Sequence, residues 1–137
     1  MNILVLDDSD MRLEHYKYHY QGHNVVCVKT AAECIAWLAG GPKVDLLHLD
    51  HDLAEEHYLT YSEGLHEEPG AWADQEVPPY DPGTGMDVVD WLCDPEHEAC
   101  RPVRCVVHSW NGVRAPVMAM ALNKAGIPTL RQPFQAL

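Results

Sequence analysis

The segment "VDLLHLDHDL" at residues 44–53 decides the fold. Its first part is an apolar run too short for a helix of ordinary length, and it reads as a strand buried on both faces, strand three, over 44–50. Its end sets Asp50, His51 and Asp52 at the tip of that strand. The same pattern recurs outward along the chain. "NILVLDD" (2–8) ends in Asp7 and Asp8, and "PVRCVVHS" (102–109) ends in His108 and Ser109. "NVVCVKT" (24–30) and "IPTLRQPF" (127–134) supply strands two and five.

Helical segments separate these strands. Residues 10–20 carry Met11, Leu13, Tyr16 and Tyr20 as a stripe, with Gly22 as a stop. Thr30 and Glu33 form a capping box that opens "AAECIAWLAG". "GMDVVDWLCD" (85–94) turns Met86, Val89, Trp91 and Leu92 to the sheet, and 113–126 is helical with Pro116 tolerated in its first turn. Strict alternation of strand and helix predicts an α/β fold: a three-layer, doubly wound, five-stranded parallel sheet. Residues 54–84 break the rhythm, with no sustained periodicity and many Glu, Pro and Gly. So long a connection inside a compact domain is expected to be an insertion or a lid over the tip of strand three.

The 137 residues suffice for one domain spanning 1–137. The net charge of −12 argues against a grip on long double-stranded nucleic acid, though a small anionic ligand fits if a metal ion or helix amides neutralise it. No apolar run reaches membrane-spanning length, and Asp7 and Asp8 interrupt the opening apolar stretch, so neither a membrane nor a signal peptide is expected. Five cysteines without a CxxC pair suit a reducing, cytoplasmic setting. Cys27, Cys34 and Cys105 read as small core residues, and the Cys93, His97, Cys100, Cys105 spacing matches no common zinc site. Nothing in the chain fixes its oligomeric state.

In open α/β sheets ligands bind beyond the carboxyl ends of the strands, so the polar strand tips share one rim. Asp7, Asp8, Asp50 and Asp52 are the candidate metal ligands there. Close carboxylates do not all stay ionised without a cation, and oxygen ligands favour Mg²⁺ or Mn²⁺. A nearby histidine tilts the choice towards Mn²⁺, Fe²⁺ or Zn²⁺. A single acidic strand end would be read as a solvated cap; several on one rim point to metal. His48 lies within strand three and reads as a core or supporting histidine, whereas His15, His19, His23, His57, His66 and His97 are expected at the surface. Ser109 and Asn111 precede the last helix as its N-cap, as part of a phosphate cradle with its amides, or as both at once, since N-cap geometry presents the amides. Arg114 and Thr84 are further candidate substrate contacts.

These residues resemble the response-regulator receiver fold, with its flavodoxin-like topology: Asp7-Asp8 after strand one, Asp50 after strand three and Ser109 after strand four. In receivers such residues bind Mg²⁺, accept a phosphoryl group and signal through a hydroxyl. The slot where receivers carry a lysine before proline reads Gln132-Pro133. "LDHDL" (49–53), "TGMDVVDWL" (84–92) and "VHSWNGVRAPVM" (107–118) look more like the receiver-like group called cyclic-phosphate processing receiver domains, although Asn111-Gly112-Val113-Arg114 replaces that group's usual Asn-Pro-Val-Gly. The resemblance implies a metal-dependent phosphoesterase acting on a cyclic or terminal phosphate of a nucleotide or RNA end. Asp7, Asp8, Asp50 and Asp52 would hold the ion; Asp50, His51 and His108 would carry the chemistry. Two alternatives stay open: a receiver phosphorylated on Asp50, and a module that sequesters a small phosphorylated signal without turnover.

Overall fold

The computed structural model of the chain describes residues 1–53, 83–109 and 111–132. Its elements run β1 (Asn2–Leu6), α1 (Asp10–His19), β2 (Asn24–Val28), α2 (Ala31–Gly40), β3 (Leu46–Leu49), α3 (Gly85–Cys93), a 3₁₀ helix (Pro95–Cys100), β4 (Arg104–Val107), α4 (Arg114–Lys124) and β5 (Thr129–Arg131). The five strands form one parallel sheet in the order β2-β1-β3-β4-β5, the flavodoxin-like order that the resemblance to receivers implies. The expected insertion lies in residues 54–82, outside the described residues.

Parallel strands need both faces covered, and alternation along each strand provides two apolar faces. Ile3, Val5 and Leu46 pack with Leu13 and Tyr16 of α1. Leu4, Leu6, Leu47, Leu49, Cys105 and Val107 pack on the other face with α2, α3 and α4. Fully burying one such Leu or Val contributes about 1.5–3 kcal/mol, so these two layers dominate the stability. The helix starts are capped locally: Ser9 Oγ accepts from Arg12 N, and Thr30 Oγ1 accepts from Glu33 N. At the opposite ends of α3 and α4, Arg101 donates to the carbonyls of Leu92 (2.9 Å), Cys93 (3.5 Å) and Ala125 (3.1 Å). One guanidinium thereby satisfies carbonyls that two helices leave free.

Several sequence expectations change in detail. Every strand is shorter than its apolar run, because the polar tips lie past the last ladder pair. Met11 is exposed, leaving Leu13 and Tyr16 as the buried stripe of α1. In α3 the buried residues are Gly85, Val88, Val89 and Leu92, with Met86 and Trp91 at the margin. His97, expected at the surface, is half-buried; its ring stacks on Trp91 at 4.0 Å and its Nδ1 meets the Trp91 carbonyl at 2.8 Å. Cys27 is half-buried, whereas Cys34 and Cys105 are core residues. No described helix is long and apolar enough to cross a membrane.

Charge is divided along the chain. All 21 acidic residues precede residue 99, while Arg101, Arg104, Arg114, Lys124 and Arg131 follow it. The side of the sheet built by β4, α4 and β5 is therefore basic on an otherwise acidic chain.

Candidate functional site

The strand register builds the site. Leu6 pairs with Val28 and Leu49, Leu49 with Val107, and Val107 with Arg131. The next residue of each strand donates its amide to the last residue of its neighbour: Asp7 to Val28, Asp50 to Leu6, His108 to Leu49 and Gln132 to Val107, all at 2.9–3.1 Å. Asp7, Asp50, His108 and Gln132 thus stand in one row at the carboxyl rim. Asp7, Asp50 and His108 are buried, and their ligand atoms all lie within 4.8 Å of one another. Of the four candidate metal carboxylates, the structure brings Asp7 and Asp50 together, adds His108, and sets Asp8 and Asp52 to the sides.

Asp7 is densely bonded. Oδ1 accepts from Ser9 N (2.9 Å) and Arg12 Nη2 (2.8 Å); Oδ2 accepts from Arg12 Nε (2.7 Å) and meets His108 Nε2 at 2.9 Å. Burial works to raise this carboxyl, but His108 and Arg12 outweigh it and hold Asp7 at about 2. Asp50 is the opposite case. Burial, followed by the charge of Asp7, pushes it up to about 8, with Arg12 offsetting only part. Asp8 is half-exposed and is also raised, by burial and then by Asp7. Two buried carboxylates of which one resists ionisation form a site deficient in positive charge. The donor set of two carboxylates and an imidazole fits a hard or borderline divalent ion.

Beside this row lies a second carboxylate–imidazole pair. His51 Nδ1 meets Asp52 Oδ1 at 2.9 Å, and Asn111 Nδ2 reaches Asp52 Oδ2 at 3.4 Å. Asp52 also bridges to Thr84, at the N-cap of α3. Gly85 follows Thr84 and donates its amide to the His51 carbonyl at 3.0 Å. A Cβ on Gly85 would overlap the Asp50 carbonyl oxygen and crowd Met118, so only glycine lets α3 approach this closely.

Ser109 is buried, and its Oγ accepts from Asn111 N at 3.1 Å. Asn111 Oδ1 accepts from Val113 N (3.1 Å) and Arg114 N (2.9 Å). Asn111 is therefore the working cap of α4, and the amides proposed as a phosphate cradle already have a partner. Arg114 is exposed in the first turn of α4.

The sequence reading passed over Arg12. Its guanidinium grips Asp7 and reaches Asp50 Oδ2 at 3.4 Å and Asp8 Oδ1 at 3.5 Å. The available signal was the spacing: with Ser9 as N-cap, Arg12 lies one turn into α1 and four residues from Asp8. Behind the rim, His48 is buried as expected. Its Nε2 shares a 2.7 Å hydrogen bond with the Tyr20 hydroxyl, and its ring lies 5.8 Å from that of His108. Burial depresses His48 to about 3, so it stays neutral.

Comparison with solved structures returns receivers. A receiver protein from Pseudomonas putida is 18% identical with a TM-score of 0.61, over 98% of this chain and 87% of that one. The response regulator TrrA from Thermotoga maritima, solved with Mg²⁺ and BeF, is 14% identical with a TM-score of 0.60, over 99% and 87%. The signal receiver domain of a LuxO repressor protein from Vibrio parahaemolyticus is 18% identical with a TM-score of 0.57, over 98% and 79%. At these identities the likeness is one of fold. No curated protein matches the chain. The family model of the cyclic-phosphate processing receiver domain matches residues 2–124, a span that holds every candidate site residue, and the chain belongs to that family.

Proposed function

We propose that this chain is a metal-dependent phosphoesterase that hydrolyses a cyclic or terminal phosphate of a nucleotide or RNA end. One observation carries the reading: carboxylate–imidazole pairs flank Asp50, Asp7 with His108 and Asp52 with His51. A phosphoacceptor that only stores a phosphoryl group needs no proton carriers, whereas hydrolysis must take a proton from the attacking water and give one to the ester oxygen that leaves the phosphorus.

Asp7 and Asp50 are the residues that would hold a divalent ion, with His108 kept against Asp7 Oδ2 at 2.9 Å as a proton carrier. Such an ion supplies charge for the phosphoryl oxygens and neutralises the carboxylates beside them. The remaining work falls to side chains. The Asp52 contact at Nδ1 orients the His51 ring and leaves Nε2 to take or give a proton. Ser109 Oγ accepts from the Asn111 amide and keeps its own O–H to donate to a non-bridging oxygen. Asn111 Nδ2, held at 3.4 Å by Asp52, is the amide group free enough to do the same. Thr84 brings a hydroxyl-bearing residue to the Asp52 side of the rim, and Arg114 and Arg12 bring positive charge.

The test is a phosphorus NMR time course with Mg²⁺ or Mn²⁺ and a panel of 2′,3′-cyclic, 3′,5′-cyclic and linear nucleotides plus a short RNA with a cyclic end. Turnover of one species that stops with chelator and in Asp50→Asn is the expected result. A folded, metal-loaded protein that leaves every compound intact would overturn hydrolysis. The position of Asp50 at the tip of β3 favours phosphoryl acceptance as the second reading, and an acyl phosphate formed from a small phosphodonor in the same tubes would support it.

A further inference from the structure

Counting the partners of Asp7 yields a constraint on how the site fills. An ionised carboxylate offers about four lone-pair positions, and in Asp7 four donors occupy them: Ser9 N, Arg12 Nη2, Arg12 Nε and His108 Nε2, all at 2.7–2.9 Å. Asp7 is fully buried. As it stands it has no position left for a metal ion, so any ion that uses Asp7 must take the place of one of these donors.

The three groups differ in how readily they leave. The Ser9 amide is backbone at the start of α1, next to the Ser9 cap that holds Arg12 N. His108 is 2% exposed, and its ring packs against Tyr16 at 5.2 Å and His48 at 5.8 Å. Arg12 has 23% of its side chain open to solvent, and among the described residues its guanidinium is held by the carboxylates of Asp7, Asp8 and Asp50. Its grip is also uneven, firm on Asp7 at 2.7 and 2.8 Å but long to Asp50 and Asp8 at 3.4 and 3.5 Å.

We propose that Arg12 is an intramolecular competitor for the divalent-ion site: its guanidinium is the resident cation of Asp7 and Asp50, and loading the site requires its release towards solvent, where it meets the incoming phosphate. This rests on the reading of the site as one that works with a divalent ion. One arginine then couples the two ligands: the ion frees the guanidinium, and the anion keeps it from returning.

The test is calorimetric titration of Mn²⁺ into the intact protein and into Arg12→Gln and Arg12→Lys, with thermal unfolding to show that each is folded. Arg12→Gln is expected to bind Mn²⁺ at least tenfold more tightly than the unaltered protein. Arg12→Lys, which keeps a charge but cannot grip Asp7 with two donors, is expected to fall between them. Sulfate, as an inert tetrahedral anion, is expected to tighten Mn²⁺ binding in the unaltered protein and to lose that effect in Arg12→Gln. A residue that merely stabilised the fold would give variants with equal or weaker Mn²⁺ affinity, and that result overturns the proposal while leaving the metal site standing. Absence of Mn²⁺ binding in all three folded proteins overturns the metal reading itself, and the proposal with it.

Discussion

Asp50 and Asp7 sit in one cluster and titrate in opposite directions, because Asp7 holds the hydrogen bonds and Asp50 bears the consequences. With Asp50 raised to about 8 by burial and by Asp7, the folded state favours its protonated form. The resulting stabilisation is complete below the ordinary carboxyl range and is lost as pH rises through 8. In chelator, urea unfolding should therefore show stability falling between about pH 4 and 8 and levelling above 8, and Asp50→Asn should flatten that fall. Asp7, held at about 2, contributes stability that is present above the ordinary range and lost only as pH drops towards 2. An ion that binds ionised Asp50 must displace its proton, so Mg²⁺ affinity should rise by up to about tenfold per pH unit below 8 and level off above it. Affinity independent of pH would show that Asp50 is not a ligand. His48 supports a separate expectation. Its Nδ1 has no hydrogen-bond partner among the described residues, and Tyr20 supplies the bond at Nε2. Tyr20→Phe leaves both ring nitrogens unpaired and should cost about 1–3 kcal/mol in urea unfolding; an unchanged midpoint would remove Tyr20 from any structural role.

At the scale of elements, the contact between α3 and the tip of β3 is the tightest constraint. Gly85→Ala places a methyl group against the Asp50 carbonyl and Met118. It should lower stability by about 1–3 kcal/mol, read as a shift in denaturation midpoint. Among the described residues, the five strands and four α-helices are legible in the sequence because each is an apolar run or stripe bounded by caps and turns. The strand ends are not, since the ladder stops where the neighbouring strand stops, and that depends on register. The 3₁₀ helix at Pro95–Cys100 escapes notice because it buries none of its residues and so has no periodic pattern. The site is legible where chemistry falls at strand tips, as with Asp7, Asp50 and His108. Arg12 is illegible by the same logic: it lies in a helix, on a turn that reads as surface, and only the fold turns it back over the acids. The cap that Asn111 Oδ1 gives to Val113 N and Arg114 N likewise depends on where its side chain points.

For the whole molecule, the governing fact is a net charge of −12 around a rim that gathers Asp7, Asp8 and Asp50. Self-repulsion of that size weakens a compact state, and any salt relieves it in part. A specific site adds to this, by an amount that grows with the logarithm of ion concentration over Kd. Mg²⁺ should therefore raise the melting temperature above that in NaCl of matched ionic strength, and Asp50→Asn should erase the difference. Equal melting curves would leave only screening. The division of charge along the chain has a consequence of its own. The described β4, α4 and β5 carry Arg104, Arg114, Lys124 and Arg131 and no acidic residue, so the positive charges of this edge act together on an anion near it. Beyond a Debye length salt screens the repulsion of the net charge, and within it the field of this edge is the one an anion at the neighbouring strand tips feels.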